Sequence, residues 1–296
     1  MSGKSSNRGW IILAAVLVAC LALVVAGCAV MRHNRAQESA REVAEADACG
    51  TVPGDDAGDD GEWMSDTTGW ELPAWTSGST GVLVTHSGYT ASYNTERLIP
   101  DWVAYTLTAE EVAGTVGRGS GFRPDPSLDC AQAVDADYRN SGWDRGHMAP
   151  AADMRWSSSA MSESFYLVNV CPQHPNLNRG DWKELEDLCR SLAVRYGELQ
   201  IVCGPLVGDN ALGRIGAGGV CVPDAFFKAL LARTDSVTCS SIAFVFENAP
   251  GNRPLASYAV RVDSVEVLSG FDLFARLPDG PESRIESSFD LSLWGL

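Results

Sequence analysis

Short apolar runs separated by turn residues begin near residue 81 and continue to the end of the chain. The clearest helical pattern covers residues 181–196, where leucines and an alanine fall on one side and Gly197 follows as a stop. Several runs rich in β-branched and aromatic residues predict strands, at residues 82–85, 102–107, 199–203, 220–222 and 241–246. Because strands and helices mix without regular alternation, the pattern predicts an α+β fold with a mainly antiparallel sheet flanked by helices.

Two shorter helices and one loop complete this picture. Thr108 is placed to cap a helix that begins after it, and residues 262–268 predict a weaker helix that ends before Gly270. The glycine-rich residues 117–121 resemble a phosphate cradle. Since no Gly-Lys-Ser/Thr follows and no strand precedes them, we interpret them as a flexible loop.

The amino-terminal segment has a different character. Residues 10–31 carry no ionisable group other than thiols, and about 33 Å of helix would span a bilayer. We interpret residues 1–9 as a short cytoplasmic tail and residues 10–31 as a transmembrane signal anchor, because a short tail before a large domain is typical of exported proteins. A lipoprotein site at Cys28 is the alternative, and either arrangement attaches the chain to the membrane.

Charge separates a linker from a folded domain. The net charge is −16, and the stretch from Glu38 to Glu71 holds eleven acidic residues against one basic residue. Residues 32–79 therefore predict an acidic flexible linker, and residues 80–296 the domain. From Leu72 onward, 27 acidic residues still outnumber 17 basic ones, so strong binding of nucleic acid through a broad basic face is not expected.

Seven cysteines follow the anchor, which is compatible with an oxidising compartment. The number is odd, so at least one thiol is unpaired within the chain, and no pairing follows from the spacing. None forms a CxxC pair, which argues against structural zinc.

His147 is the candidate base, since an unperturbed histidine pKa of about 6.5 suits the activation of water. Asn178 lies thirty-one residues later, and it begins a series at intervals of four: Asn178, Trp182, Glu186 and Arg190. Each step of four turns about 40° around a helix, so we expect one slowly drifting line of side chains with an amide, a carboxylate and a guanidinium. Taken alone, the Glu–Arg pair is equally typical of an exposed helix.

The combination of motifs is similar to the DNA/RNA non-specific endonucleases, the ββα-metal nucleases. The similarity rests on Asp-Arg-Gly-His at 144–147, on Asn-Val-Cys-Pro-Gln at 169–173 and on the series that begins at Asn178. It continues around the core through residues 102–105, 122–126, 155–157, 203–205 and 222–228. The resemblance covers the chain from about residue 81 and implies a ββα-metal nuclease fold.

The resemblance also implies roles for individual residues. His147 would be the general base, and Asn178 would be the one direct protein ligand of Mg²⁺, with Mn²⁺ as a possible substitute. Glu186 would hold water around the metal, while Arg190 and Arg145 would steady phosphate charge or the loop of the site. The family also uses an arginine before the histidine motif, for which Arg118 is preferred over Arg123.

The expected activity is sequence-independent cleavage of DNA and RNA within the chain, giving 5′-phosphate ends, by a domain on the outer side of the cell membrane. An inactive membrane-anchored DNA receptor for uptake is the alternative from another class, and a phosphodiesterase of small nucleotides is a third. A homodimer is compatible with the sequence but cannot be read from it.

Overall fold

The computed structural model describes residues 67–75, 81–208, 211–234 and 238–296. The predicted anchor at residues 10–31, the alternative lipid site Cys28 and most of the predicted linker lie outside these ranges. Within the ranges, no helix is both long enough and apolar enough to cross a bilayer.

Thirteen strands lie in the part of the chain that the structure describes. They are β1 (Ala74–Trp75), β2 (Val82–Thr85), β3 (Thr90–Asn94), β4 (Ile99–Thr108), β5 (Asp144–His147), β6 (Val170–Gln173), β7 (Glu198–Leu206), β8 (Gly213–Ile215), β9 (Val220–Val222), β10 (Ala225–Arg233), β11 (Cys239–Glu247), β12 (Ala259–Val260) and β13 (Phe271–Asp272).

Seven α-helices accompany these strands in the same ranges. They are α1 (Ala109–Val112), α2 (Asp135–Tyr138), α3 (Ser158–Glu163), α4 (Pro175–Arg179), α5 (Asp181–Tyr196), α6 (Val262–Ser269) and α7 (Asp279–Glu286). Short 3₁₀ turns occur at Leu167–Asn169, Leu255–Tyr258 and Leu291–Trp294.

The centre of the fold is a seven-stranded sheet with the strand order β12-β11-β10-β7-β4-β3-β2. All of its neighbouring strands are antiparallel. Three two-stranded sheets stand beside it, formed by β1 with β13, β5 with β6 and β8 with β9. The predicted α+β class with a mainly antiparallel sheet is therefore confirmed.

Helices cover both faces of the large sheet. On one face, the ring of Trp182 from α5 lies 5.7 Å from Phe226 of β10 and 5.8 Å from Phe246 of β11, centroid to centroid. Side chains alternate along a strand, so Ser241 of β11 points to the opposite face, where its hydroxyl donates to the carbonyl of Ile285 in α7 at 2.7 Å. This double cover keeps β10 buried along nearly its whole length.

The predicted elements are present with small changes at their ends. All five predicted strands lie within β2, β4, β7, β9 and β11, and α5 covers the predicted helix. Thr108 caps α1 in a capping box with Glu111, whose amide donates to the threonine hydroxyl at 3.2 Å. Gly197 and Gly270 follow their helices with φ of 90° and 75°, which side-chain-bearing residues rarely adopt.

The folded part begins earlier than the predicted boundary at residue 80. β1 pairs with β13, and Trp70 is 4% exposed. The prediction of a flexible linker is therefore wrong for residues 67–75, because a short apolar segment within the acidic stretch finds backbone partners near the other end of the domain.

Five cysteines in the described ranges are thiols outside any disulfide, namely Cys130, Cys171, Cys189, Cys203 and Cys221. All but Cys130 are buried.

Candidate active site

Two antiparallel strands followed by two helices carry the predicted site residues. β5 pairs with β6 from Asp144 opposite Gln173 to His147 opposite Val170. After β6 the chain forms α4 and then α5, with Gly180 between them at φ −109° and ψ −111°.

The break at Gly180 corrects one expectation about the series at intervals of four. Asn178 lies on α4, so it does not continue the line of side chains on α5. Trp182 is fully buried against the sheet and belongs to the core. Only Glu186 and Arg190 remain as polar members of the series on α5, and the fixed rotation between successive helical positions does not carry across the break.

His147 ends β5 in an aromatic enclosure. Its ring centroid lies 5.1 Å from that of Phe122 and 5.2 Å from that of Phe165. The residue is 8% exposed, and Nε2 is buried without a hydrogen-bond partner among the described residues. Burial, and then the nearby charge of Arg118, lower the pKa of His147 to about 3. The imidazole is therefore neutral at neutral pH and keeps a lone pair for a proton.

Contacts from several directions fix the backbone around His147. Trp182 Nε1 donates to the His147 carbonyl at 3.3 Å. The next carbonyl, of Met148, accepts from Lys228 Nζ and from Cys203 Sγ, both at 3.2 Å. Such contacts hold the backbone of His147 and Met148 in one position.

Asn169 holds the backbone of Ala149, two residues after His147, by a pair of hydrogen bonds. Its amide oxygen accepts from the Ala149 amide at 2.9 Å, and its amide nitrogen donates to the Ala149 carbonyl at 2.8 Å. Asn169 is fully buried, and the paired contacts hold the chain beyond His147 against the start of β6.

Asn178 belongs to a polar group at the other end of β5. Its Nδ2 donates to Oδ2 of Asp144 at 2.9 Å, so the amide oxygen is not used in that contact. Arg179 makes a two-point ion pair with the same carboxylate, at 2.7 and 2.6 Å. Burial alone would raise the pKa of Asp144, but the hydrogen bonds from Arg179 and Asn178 outweigh it and lower that pKa. The Asp144 anion thus orients Asn178.

The two candidate arginines before the histidine motif have different partners. Arg118 is exposed, and its guanidinium carbon lies 5.6 Å from the centroid of Phe165, beside His147. Arg123 instead donates to the carbonyl and the hydroxyl of Ser162, at 2.9 and 2.8 Å. Of the two, Arg118 is the one whose charge acts on His147.

Arg145 lies on the same side of β5 as His147, because side chains two residues apart in a strand share a face. Its guanidinium carbon is 5.6 Å from the centroid of Phe122, the ring that also packs on His147. Its Nε forms an ion pair with Asp135 at 2.7 Å. Arg145 therefore stands near the base, with part of its charge compensated.

Arg190 contacts the loop after β5. Its guanidinium donates to Oδ1 of the fully buried Asp153 at 2.6 Å and also pairs with Asp187. The hydroxyl of Tyr105 donates to the other oxygen of Asp153 at 2.9 Å. Of the two roles expected for Arg190, these contacts favour the steadying of the loop.

Glu186 and Lys228 lie beneath that loop. Lys228 is fully buried, with Nζ 4.7 Å from the centroid of Trp182. Burial raises the pKa of Glu186 to about 7, although Lys228 works in the opposite direction. Glu186 can therefore gain or lose a proton near neutral pH.

The side chain of Gln173 lies over Gly146, its diagonal neighbour across β5 and β6. A Cβ on Gly146 would lie 2.3 Å from Oε1 of Gln173, so no larger residue fits there without rearrangement. Gln173 is fully buried, and both of its amide atoms lack a hydrogen-bond partner within the described ranges. Gln173 and His147 thus both carry buried polar atoms that water or a ligand can satisfy.

The other two described histidines have structural contacts. His86 Nε2 lies 2.7 Å from the buried carboxylate of Asp125. His174 accepts a hydrogen bond from the Asn176 amide at the start of α4, at 3.2 Å. His86 also lies between two rings, 5.0 Å from Tyr89 and 5.1 Å from Tyr166, but its Nε2 is engaged by Asp125, whereas Nε2 of His147 has no hydrogen-bond partner among the described residues.

Sequence reasoning gave no role to Asp144, Asn169 or Lys228, although all three lie in the quoted motifs. A signal was present for Lys228, because a single charge inside the apolar run of β10 is rare unless it has a partner. The contacts of Asp144 and Asn169 depend on residues more than 15 positions away, which spacing does not reveal.

Two paired strands followed by helices, with a neutral histidine at the end of the first strand, form a ββα arrangement. Residues 73–280 match the family model described as DNA/RNA non-specific endonuclease. The chain belongs to this family.

Its relatives include mitochondrial nucleases. The chain is 38% identical over 217 residues to "Nuclease 1, mitochondrial" of Schizosaccharomyces pombe, covering 67% of each chain. It is 35% identical over 221 residues to "Nuclease EXOG, mitochondrial" of Homo sapiens, covering 69% of this chain and 60% of that relative. The alignments thus span about two thirds or less of the relatives' own lengths.

A solved structure has the same fold. A chain in the crystal structure of the EndoG/EndoGI complex superposes with a TM-score of 0.63 at 32% identity, over 68% of this chain and 89% of that chain.

Proposed function

We propose that this protein is a divalent-metal-dependent endonuclease that cleaves DNA and RNA without sequence preference and leaves 5′-phosphate ends. The observation that carries the proposal is His147, a neutral imidazole with a buried, unpartnered Nε2 between two aromatic rings. Membership of the DNA/RNA non-specific endonuclease family supports the same reaction class.

The residues around Asn178 fit a hard divalent cation. Asp144 accepts a hydrogen bond from the amide nitrogen of Asn178, so the amide oxygen remains available as a metal ligand. Mg²⁺ prefers oxygen ligands and keeps several of its waters. Asn178 would hold the ion, with Mg²⁺ as the expected metal and Mn²⁺ as a substitute. A bound cation would supply positive charge for the phosphoryl oxygens.

The chain's own side chains divide the remaining work. His147 accepts at Nε2 the proton of the attacking water. Arg118 and Arg145, on either side of the aromatic enclosure, offer positive charge to the phosphodiester. Glu186 orients water, and Arg190 holds the loop after His147 through Asp153.

Local contacts explain how an acidic protein can act on a polyanion. The net charge of −16 opposes binding through the whole surface. Attraction is instead concentrated at one cation and a few arginines that contact phosphates. Such contacts read no base edges, so cleavage is expected to be independent of sequence.

We further propose that residues 10–31 anchor the protein in the cell membrane with the nuclease domain outside, and that a lipid on Cys28 is the alternative attachment. The length of the apolar run supports the anchor, and export would keep an unselective nuclease from its own chromosome. Mass spectrometry of the mature amino terminus distinguishes an intact Met1 from a lipidated Cys28.

The test compares the wild-type protein with His147→Ala on supercoiled plasmid and on RNA, with Mg²⁺ and with EDTA. The expected result is cleavage only by the wild-type protein with Mg²⁺, while both proteins have the same circular dichroism spectrum. Product ends should accept label from polynucleotide kinase only after phosphatase treatment, as 5′-phosphates require.

Each other outcome has a clear meaning. Near-normal cleavage by His147→Ala would refute the role of His147, and retardation of DNA without cleavage by the wild-type protein would indicate a receptor. Hydrolysis of mononucleotide diesters with polymers untouched would indicate a small-nucleotide phosphodiesterase.

A further inference from the structure

A second group of oxygen ligands lies on the face of the large sheet opposite to α5. Asp263 and Glu266 of α6 and Glu286 of α7 each place a carboxylate oxygen within 4.8 Å of the other two. Hydrogen bonding to the Ile285 carbonyl ties α7 to Ser241 of β11 on that face. The group is therefore separate from His147 and Asn178, which lie with β5 and α4.

Glu286 is the member that points to a ligand. It is 4% exposed, and its Oε1 is buried without a hydrogen-bond partner in the described ranges. Buried carboxylates are normally hydrogen-bonded, paired with a cation or bound to a metal.

Several carboxylates surround Glu286. The side chains whose charge acts on it are carboxylates, from Glu266, Glu282, Asp263 and Asp272. Burial, and then these carboxylates, raise the pKa of Glu286 to about 10. Such a concentration of acids is stable only when protons or a cation compensate it.

The ligand type favours calcium. Ca²⁺ binds 6–8 oxygens at about 2.4 Å and accepts several protein carboxylates at once, and the three carboxylate oxygens lie close enough together, within 4.8 Å, to contact one ion. Glu266 uses Oε1 to accept from the Leu273 amide at 2.7 Å, which leaves Oε2 for an ion. Mg²⁺ fits less well, since it requires a tighter octahedron and retains its waters.

We propose that Asp263, Glu266 and Glu286 bind one Ca²⁺ ion, which joins α6 to α7 and stabilises the carboxyl-terminal part of the domain. The family match ends at residue 280, before Glu286. The site therefore joins the matched region to a segment beyond it.

Calcium titration of the full-length protein in mild detergent tests the proposal, after EDTA treatment and removal of the chelator. The variants are Glu286→Gln, Asn178→Ala and, as a matched control, Glu184→Gln on the exposed side of α5. Isothermal titration calorimetry gives the stoichiometry and affinity, and thermal unfolding is followed with and without Ca²⁺.

We expect about one Ca²⁺ per chain in the wild-type protein, in Asn178→Ala and in Glu184→Gln. At a hundredfold excess of Ca²⁺ over Kd, the unfolding temperature should rise by about 5–10 °C in these three proteins. Glu286→Gln should weaken Ca²⁺ binding at least about tenfold and remove the rise.

Glu286→Gln also controls for a folding defect. Without Ca²⁺ this variant should unfold at the same temperature as the wild-type protein or higher, because it removes a buried carboxylate from like charges. The proposal is overturned if the wild-type protein binds no Ca²⁺, which would mean that protons alone compensate the cluster. Binding that disappears in Asn178→Ala and persists in Glu286→Gln would also overturn it.

Discussion

Burial of His147 in its neutral form should lower the free energy of unfolding at acid pH by a measurable amount. The pKa of His147 is about 3 in the folded protein and about 6.5 in an unfolded chain. As the pH falls below about 6.5, the unfolded state takes up a proton that the folded state refuses, so stability is lost until the pH reaches the folded value. At about pH 5 the loss is about 2 kcal/mol, from 1.5 pH units at about 1.36 kcal/mol each.

Other groups oppose this trend, so the measurement must be a difference. The pKa values of Glu186 and Glu266 are raised to about 7, mainly by burial. Such carboxyls stabilise the folded state as the pH falls through 7. Subtracting a His147→Asn variant from the wild-type protein removes their contribution, provided that the variant leaves their surroundings unchanged.

Urea unfolding of both proteins, followed by tryptophan fluorescence at several pH values between about 7.5 and 5, gives the free energies of unfolding. Relative to His147→Asn, the wild-type protein should lose about 2 kcal/mol over this range. A difference between the two proteins that is the same at both ends of the range would refute the inference that His147 is buried in its neutral form.

Three further predictions concern neighbours of His147. Arg118→Ala should raise the pKa of His147 and move the acid limb of the kcat/KM profile to higher pH, because it removes a nearby positive charge. Arg118→Lys keeps the charge and should leave the limb in place. An unmoved limb in Arg118→Ala would contradict the inference that the charge of Arg118 acts on His147. Gly146→Ala should lower the free energy of unfolding by about 1–3 kcal/mol, because the new Cβ meets Gln173 at 2.3 Å, and an unchanged urea midpoint would show that the side chain moves aside freely. Lys228→Met should lower the free energy of unfolding by about 3–5 kcal/mol in the same assay, because it removes the buried cation whose charge acts on Glu186. A loss below about 1 kcal/mol would mean that this charge is not needed for stability.

Local patterns predicted those elements whose signal is contained in a few neighbouring residues. The helix α5 has an apolar side and a glycine stop, and the cap of α1 needs only Thr108 and Glu111. β10 was not predicted as a strand, although its first residues were quoted in a motif. Because it is covered on both faces, it lacks the alternation that marks a strand with one exposed face.

The choice of site residues stays a prediction, and the structure corrects part of the geometry expected for them. His147, Asn178, Glu186 and Arg190 were all named, but Gly180 breaks the helix that was expected to align them. Their roles remain proposals, since spacing along the chain does not report which carboxylate or ring each side chain meets across the fold.

The pairing of β1 with β13 has a mechanical consequence. β1 itself has only two register pairs, Ala74 with Asp272 and Trp75 with Phe271, and the chain just before it is attached through the buried Trp70 and through Glu71, which accepts a hydrogen bond from the Thr106 hydroxyl of β4 at 3.4 Å. Tension applied to the chain before residue 67 would act on these few contacts before it reaches the β5–β6 pair. If the protein is tethered as proposed, this amino-terminal segment would unfold locally under tension, while His147 and Asn178 keep their geometry.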